Sequence, residues 1–191
     1  MLIFLKRKGK IMKKFKALAA GLMAGVMLLS LAGCANFKAT DKKSFEKALE
    51  DELDLEEDDD YYVYEDDYTW IDDCDTAIYG YDGRCYYVFL EFDDPEDAFD
   101  YFEDVYYDDF EDMIKDKDFE GKHAMSVNEK ASTGYMTFDG ESDSDDFYDD
   151  DIYGGVYCKD GIIVVAIAVS DKSSDKEDIN AFLKAIGYPK L

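Results

Sequence analysis

"IYGYDGRCYYVFLEFD" (residues 78–93) and "VYCKDGIIVVAIAVSD" (156–171) align without a gap, and their shared pattern decides the fold. Each carries an Asp-Gly pair between two runs rich in aromatic and β-branched residues, which signals two strands joined by a two-residue hairpin turn. Each is followed by an amphipathic helix pattern. After the first, Asp94 stands as a cap with Pro95 at the first helical position. Ala98, Phe99, Phe102, Val105, Tyr106, Phe110, Met113 and Ile114 then fall on one helix face, opposite a face of Asp and Glu. After the second, Ser174 and Glu177 are spaced as a capping box. Ile179, Phe182, Leu183 and Ile186 form the stripe, and Gly187 and Pro189 end it.

A ββα unit used twice is one explanation of this echo; independent recurrence of Asp-Gly hairpins is the other. In both cases the helices need an apolar sheet face to cover. The expected fold is therefore α+β, a mainly antiparallel sheet with amphipathic helices packed on it. The run "IIVVAIAV" (162–169) is apolar on both faces and belongs in the middle of that sheet.

The remaining elements follow from local pattern. A first helix spans about 41–53, capped by Thr40 or Asp41, with Phe45, Ala48, Leu49 and Leu53 on its apolar side. The like-charged "DLEEDDD" (54–60) ends it, and "YYVYEDDYTWI" (61–71) favours extended chain. Residues 115–131 read as a mixed connection with a short strand near 124–127. Residues 132–138 read as a strand and 139–151 as a low-complexity acidic loop.

The amino terminus has a different character. Seven Lys and Arg and no acidic residue lie in the first 33 positions, followed from Ala17 to Gly33 by a 17-residue apolar run. That is the layout of a secretory signal, and the run is short for crossing a hydrocarbon core of about 30 Å. Leu31-Ala32-Gly33-Cys34 resembles the lipobox of bacterial lipoprotein signal peptides. The resemblance implies cleavage between Gly33 and Cys34. It also implies a diacylglyceryl group on the Cys34 thiol, whose two acyl chains, palmitate among the candidates, would hold the chain stably to a membrane. It places the protein on the extracytoplasmic face of the cell membrane, among small acidic lipoproteins. Met12 opens a complete signal of its own, so Met1 and Met12 both qualify as starts. The expected organisation is a removed signal (1–33), a lipid-anchored tether (34–40) and one acidic α+β domain (41–191).

Seven of the 21 basic residues precede position 34 and none of the 47 acidic ones does, so the rest of the chain carries a net charge of −33. All 16 Tyr lie in this part, and disordered chains are poor in such residues. Nucleic acid is excluded as a partner because phosphate contacts need clustered Lys and Arg. The composition points to a non-enzymatic binding module for a cationic protein, peptide or metal ion. A carboxylate-based hydrolase or cell-wall-modifying enzyme is one alternative, and a substrate-binding lipoprotein of a transporter is the other.

No catalytic, cofactor-binding or metal-ligating residues stand out. The acidic clusters at Glu56–Asp60 with Glu65–Asp67, at Asp104–Asp112 and at Asp143–Asp151 match no calcium-loop pattern, so only weak Ca²⁺ association is expected. His123 is the sole histidine and reads as an exposed or hairpin-edge residue. Cys74, Cys85 and Cys158 allow at most one disulfide. The rings of "YYVYEDDYTW" read as sheet core and cross-strand pairs, with stacking of a sugar on Trp70 as the alternative.

Overall fold

Among the residues that the computed structural model describes, 37–65, 69–143 and 149–191, seven strands form one sheet. The expected signal, its cut after Gly33 and the lipid site Cys34 lie outside the described residues, as do Asp66, Asp67 and 144–148 of the acidic clusters. The strands are β1 (Tyr61–Glu65), β2 (Cys74–Asp82), β3 (Cys85–Phe92), β4 (Phe119–Asn128), β5 (Thr133–Asp143), β6 (Asp149–Lys159) and β7 (Ile162–Val169). Their order is β1-β2-β3-β7-β6-β5-β4, and every neighbouring pair is antiparallel. The fold is α+β. The doubly apolar β7 takes the central position, because only there are both of its faces covered.

Helices cover both faces. On one, α1 (Lys42–Leu53) and α4 (Ser173–Ala185) bury Phe45, Leu49, Phe182 and Leu183 against Tyr87, Phe89, Val164 and Ala166. On the other, α2 (Pro95–Phe102) and α3 (Asp108–Asp116), joined by a π turn over Glu103–Tyr107, bury Phe99, Phe102, Phe110 and Met113. Their partners there include Leu90, Met136, Val156, Ile163 and Val165.

Both hairpins exist, and each leads into a helix, but they are not symmetric copies. The two-residue loop of the first is Gly83-Arg84, with Asp82 facing Cys85; that of the second is Asp160-Gly161, with Lys159 facing Ile162. The loops are thus displaced by one residue relative to the sequence alignment. β3 and β7 pair so that Tyr87 faces Ala166 and Val88 faces Val165. Aligned positions such as Ile78 and Val156, or Leu90 and Ala168, consequently lie in opposite core clusters. A one-residue offset in a strand exchanges its faces. This is why the helix after β3 covers one face and the helix after β7 the other.

Two expectations about connections are corrected. The region 115–131 contains the ten-residue β4 rather than a short strand, and most of the acidic loop 139–151 is strand. Glu141 faces Asp151 and Asp143 faces Asp149 across the β5–β6 ladder. Backbone pairing extends there in spite of like charges that oppose one another, an arrangement that weakens a strand pair. The expected capping box of the last helix is also absent. α4 begins at Ser173 with no side-chain cap, and the Ser174 hydroxyl donates to Asp175 Oδ1 at 2.8 Å. The other starts match: the Asp41 carboxylate accepts from Ser44 N–H at 2.7 Å, and the Asp94 carboxylate from Glu96 N–H at 2.9 Å.

Candidate functional site

α2 lies mainly over β3, β7, β6 and β5, which leaves the β1–β2 end of that sheet face to its own side chains. Strand alternation puts Tyr62 and Tyr64 of β1, Tyr79 and Tyr81 of β2, and Tyr86 of β3 there. Tyr62 faces Tyr79 and Tyr81 faces Tyr86, while Tyr64 and Tyr79 pack at the margin of the α2 cluster. The Thr69 hydroxyl donates to Cys74 O at 2.6 Å and Cys74 N–H to Ile71 O at 3.3 Å, closing a tight turn that folds Trp70 back over the strands. Its ring stacks on Tyr79 at 5.3 Å and 18° and stands nearly perpendicular to Tyr64 at 4.9 Å. Tyr81 and Tyr86 rings lie 5.0 Å apart. Tyr62, Trp70 and Tyr81 are 45%, 52% and 51% exposed, so this is a surface platform and not a filled core. The expectation that these rings serve as sheet core therefore applies only in part, to rings such as Tyr61 on the opposite face.

Acidic side chains crowd one side of the platform. Asp72 and Asp73 follow Trp70 after Ile71, and the start of α2 brings Asp94, Asp97 and Asp100. Burial raises the Asp97 carboxyl above its usual range, helped by the negative charges of Asp73, Asp94 and Asp100. Lys42, at the start of α1, pairs with Glu65 of β1 on the opposite face of the sheet.

A second pattern is the distribution of charge along the strand axis. Glu56–Asp60 leads into Tyr61, which faces Gly80 near the end of β2. At that same end Asp143 faces Asp149, and Asp143 N–H donates to Asp118 O at 2.8 Å just past α3. Three acidic segments therefore share one pole of the sheet. The chain enters at the opposite pole. Phe37 is buried, with its ring 5.4 Å from Tyr157 and 4.8 Å from Tyr188. Lys159 Nζ donates to Phe37 O at 2.7 Å and sits 5.4 Å from the Phe37 ring centroid. Thr40 N–H donates to the Tyr188 hydroxyl at 3.4 Å. Of the stretch expected to be a lipid-anchored tether, 34–40, the described part packs on the domain from Phe37 onward.

The carboxylates also predict how stability responds to pH. Burial raises the pKa of Glu46, Glu103, Asp108 and Asp178, with neighbouring acids adding to all four and Lys42 opposing the rise at Glu46. The fold holds these protons more tightly than the unfolded chain, so stability increases as pH falls through their folded pKa values. Asp41 and Asp175 have lowered pKa values, through hydrogen bonds from Ser44 and Ser170 respectively, and Glu65 through Lys42. Their stabilisation is present above the ordinary carboxylate range and is lost below it. The melting temperature is expected to rise from pH 7.5 to about pH 5 and to fall below about pH 4. A melting temperature that falls steadily from pH 7.5 downward would contradict the raised set.

The sites considered from sequence are widely separated. His123 is exposed on the edge strand β4, with its ring 6.2 Å from Phe110 and 5.9 Å from Phe119. Cys74, Cys85 and Cys158 are all free and buried, Cys85 on the α4 side and the other two on the α2 side. Burial pushes the thiol of Cys74 up to about 11 and those of Cys85 and Cys158 up to about 12. Thiols so protonated and enclosed are poor nucleophiles. In a Cys34→Ala chain, Ellman's reagent at pH 8 is expected to find three thiols in denaturant and almost none in the folded protein. Rapid reaction of one thiol in the native state would show that its cover opens readily.

Among the described residues no group of three or more His, Cys, Asp or Glu side chains is placed to hold a metal ion. Among them, too, no helix is long and apolar enough to cross a membrane. No known family model, curated protein or solved structure matches the chain.

Proposed function

We propose that this chain is an exported lipoprotein, anchored through Cys34 to the extracytoplasmic face of a bacterial cell membrane, whose domain is a non-enzymatic binding module for a cationic partner. The supporting observation is that three acidic segments share the pole opposite the anchor, while a second group, Asp72, Asp73, Asp94 and Asp97, lies at the Phe92–Gly161 end nearer to it. Cys34 is three residues before the docked Phe37, so the attachment point lies within about 10 Å of the Lys159 pole. β6 is 11 residues long, which sets the acidic pole about 35 Å away. That is several screening lengths at physiological ionic strength, about 8 Å each. The three segments at the far pole are thus held clear of anionic headgroups and displayed outward, where their field attracts cations and speeds encounter. Weak Ca²⁺ association at this pole belongs to the same proposal.

Two measurements test it. Metabolic labelling with a fatty acid analogue is expected to mark the wild-type protein and to leave Cys34→Ala unlabelled; equal labelling refutes the anchor. Titration with an oligolysine peptide is expected to show affinity that falls at least tenfold between 50 and 200 mM salt. Absence of binding at low salt refutes the cationic partner.

A further inference from the structure

The platform of Tyr62, Tyr64, Trp70, Tyr79, Tyr81 and Tyr86 is a sheet end that α2 only borders, at Tyr64 and Tyr79, and it holds every large apolar side chain found exposed among the described residues. Isolated exposed rings need no explanation, but a contiguous set beside a cluster of like charges does. Apolar partners would bury Asp72, Asp73 and Asp97 without compensation, which is costly. A cation answers both features, because the face of an aromatic ring attracts positive charge and the flanking carboxylates accept its N–H groups. Arginine suits this better than lysine: its planar guanidinium stacks on a ring while its edge donors remain free for a carboxylate.

The spacing adds a constraint. Tyr79 and Tyr81 are two residues apart on β2, and with their partners Trp70 and Tyr86 they make two aromatic stations about 7 Å apart. Alternate side chains of an extended peptide have that same repeat. We propose that the platform seats an extended basic segment of a partner protein carrying arginines at alternate positions, one on the Trp70–Tyr79 station and the next on the Tyr81–Tyr86 station. The inference rests on the cationic-partner reading and adds to it the place and the chemistry of contact. Long-range attraction comes from the acidic pole, and selection comes from the rings.

Trp70 is the sole tryptophan, so its emission reports directly on the first station. Three probes serve: the peptide acetyl-RGRGRG-amide, its lysine counterpart, and a neutral chitin oligosaccharide. Titrated into the lipid-free chain carrying Cys34→Ala, the arginine peptide is expected to change Trp70 emission saturably. It should bind severalfold tighter than the lysine peptide at equal salt. With a labelled arginine peptide followed by anisotropy, Trp70→Ala and Tyr81→Ala are each expected to weaken binding about tenfold, the equivalent of one to two cation–π contacts. Thermal melting of both variants within a few degrees of wild type shows that the fold persists, as expected for half-exposed rings. If both peptides bind equally and neither variant weakens them, the platform is overturned while the cationic-partner reading stands. Failure of both peptides to bind overturns the two together. A saturable response to the oligosaccharide alone identifies a sugar site and overturns the proposal.

Discussion

Gly154→Ala is expected to destabilise the protein by about 3 kcal/mol or more, against a total stability of about 5–15 kcal/mol for a domain of this kind. Gly154 sits inside β6, paired to Phe138 of β5 on one side and to Ile167 of β7 on the other. Its φ is +152°, outside the range that L side chains readily adopt, and an added Cβ would lie 2.1 Å from Ala166 O and 2.7 Å from Ile167 Cα. Both are backbone atoms of the central strand, so no side-chain rotation relieves the contact; the ladder itself has to move. Gly83→Ala makes the comparison. It shares a positive φ, +58°, but an added Cβ there meets nothing within 4 Å, so its cost is conformational, about 1 kcal/mol. Denaturant midpoints measured at unchanged m-value separate the two effects. A Gly154→Ala loss no larger than that of Gly83→Ala would mean that β6 shifts without penalty.

The second large effect is expected at Phe182. Its side chain is fully buried, with ring centroids 5.0 Å from Phe45 of α1 and 4.7 Å from Tyr87 of β3. It is the point at which α1, α4 and the sheet meet on one face. Truncation to alanine removes the ring from all three and leaves a cavity bounded by rigid aromatic neighbours, which collapse poorly. The expected loss is about 3–5 kcal/mol. Because Phe45 loses part of the same contact, Phe45→Ala combined with Phe182→Ala is expected to cost less than the two single losses added. Strict additivity would place the two rings in independent environments.

Much of the architecture was legible because it is written in short-range pattern. The Asp94–Pro95 helix start, the stripe from Phe99 to Met113 and the central place of "IIVVAIAV" all follow from periodicity and capping within a few residues. What was not legible depended on partners far away in sequence. The sequence shows only part of β4, because Gly121 and His123 interrupt an otherwise alternating Phe119, Met125 and Val127. Its extended form is secured by pairing with β5 along its full length. Composition alone assigns the acidic strand ends of β5 and β6 to a loop, because Asp and Gly are poor strand formers. The pairing already established over residues 134–140 carries the ladder on into them. The capping box at Ser174 does not form because the helix begins one residue earlier, at Ser173, with Lys172 in the cap position.

The candidate site was only half visible. Trp70 and its tyrosine neighbours were noticed as rings beside acids, but strand composition cannot say which end of a sheet face a helix will leave open. That depends on where α2 crosses, and α2 is placed by close approach elsewhere: an added Cβ on Gly134 of β5 would meet the Phe102 ring at 2.4 Å.

By itself, then, the sequence determined the α+β class, the two hairpins with their helices, the central strand, and the expectation of export and lipid attachment at Cys34, since each depends on residue types within a short window. The tertiary structure decided the rest. The one-residue offset between β3 and β7 sent the two ββα helices to opposite faces. The burial of Phe37 and Thr40 joined the described end of an expected tether to the core, and the position of α2 exposed the aromatic platform. In all three the deciding quantity is how segments distant in the chain register against one another, which local composition does not encode.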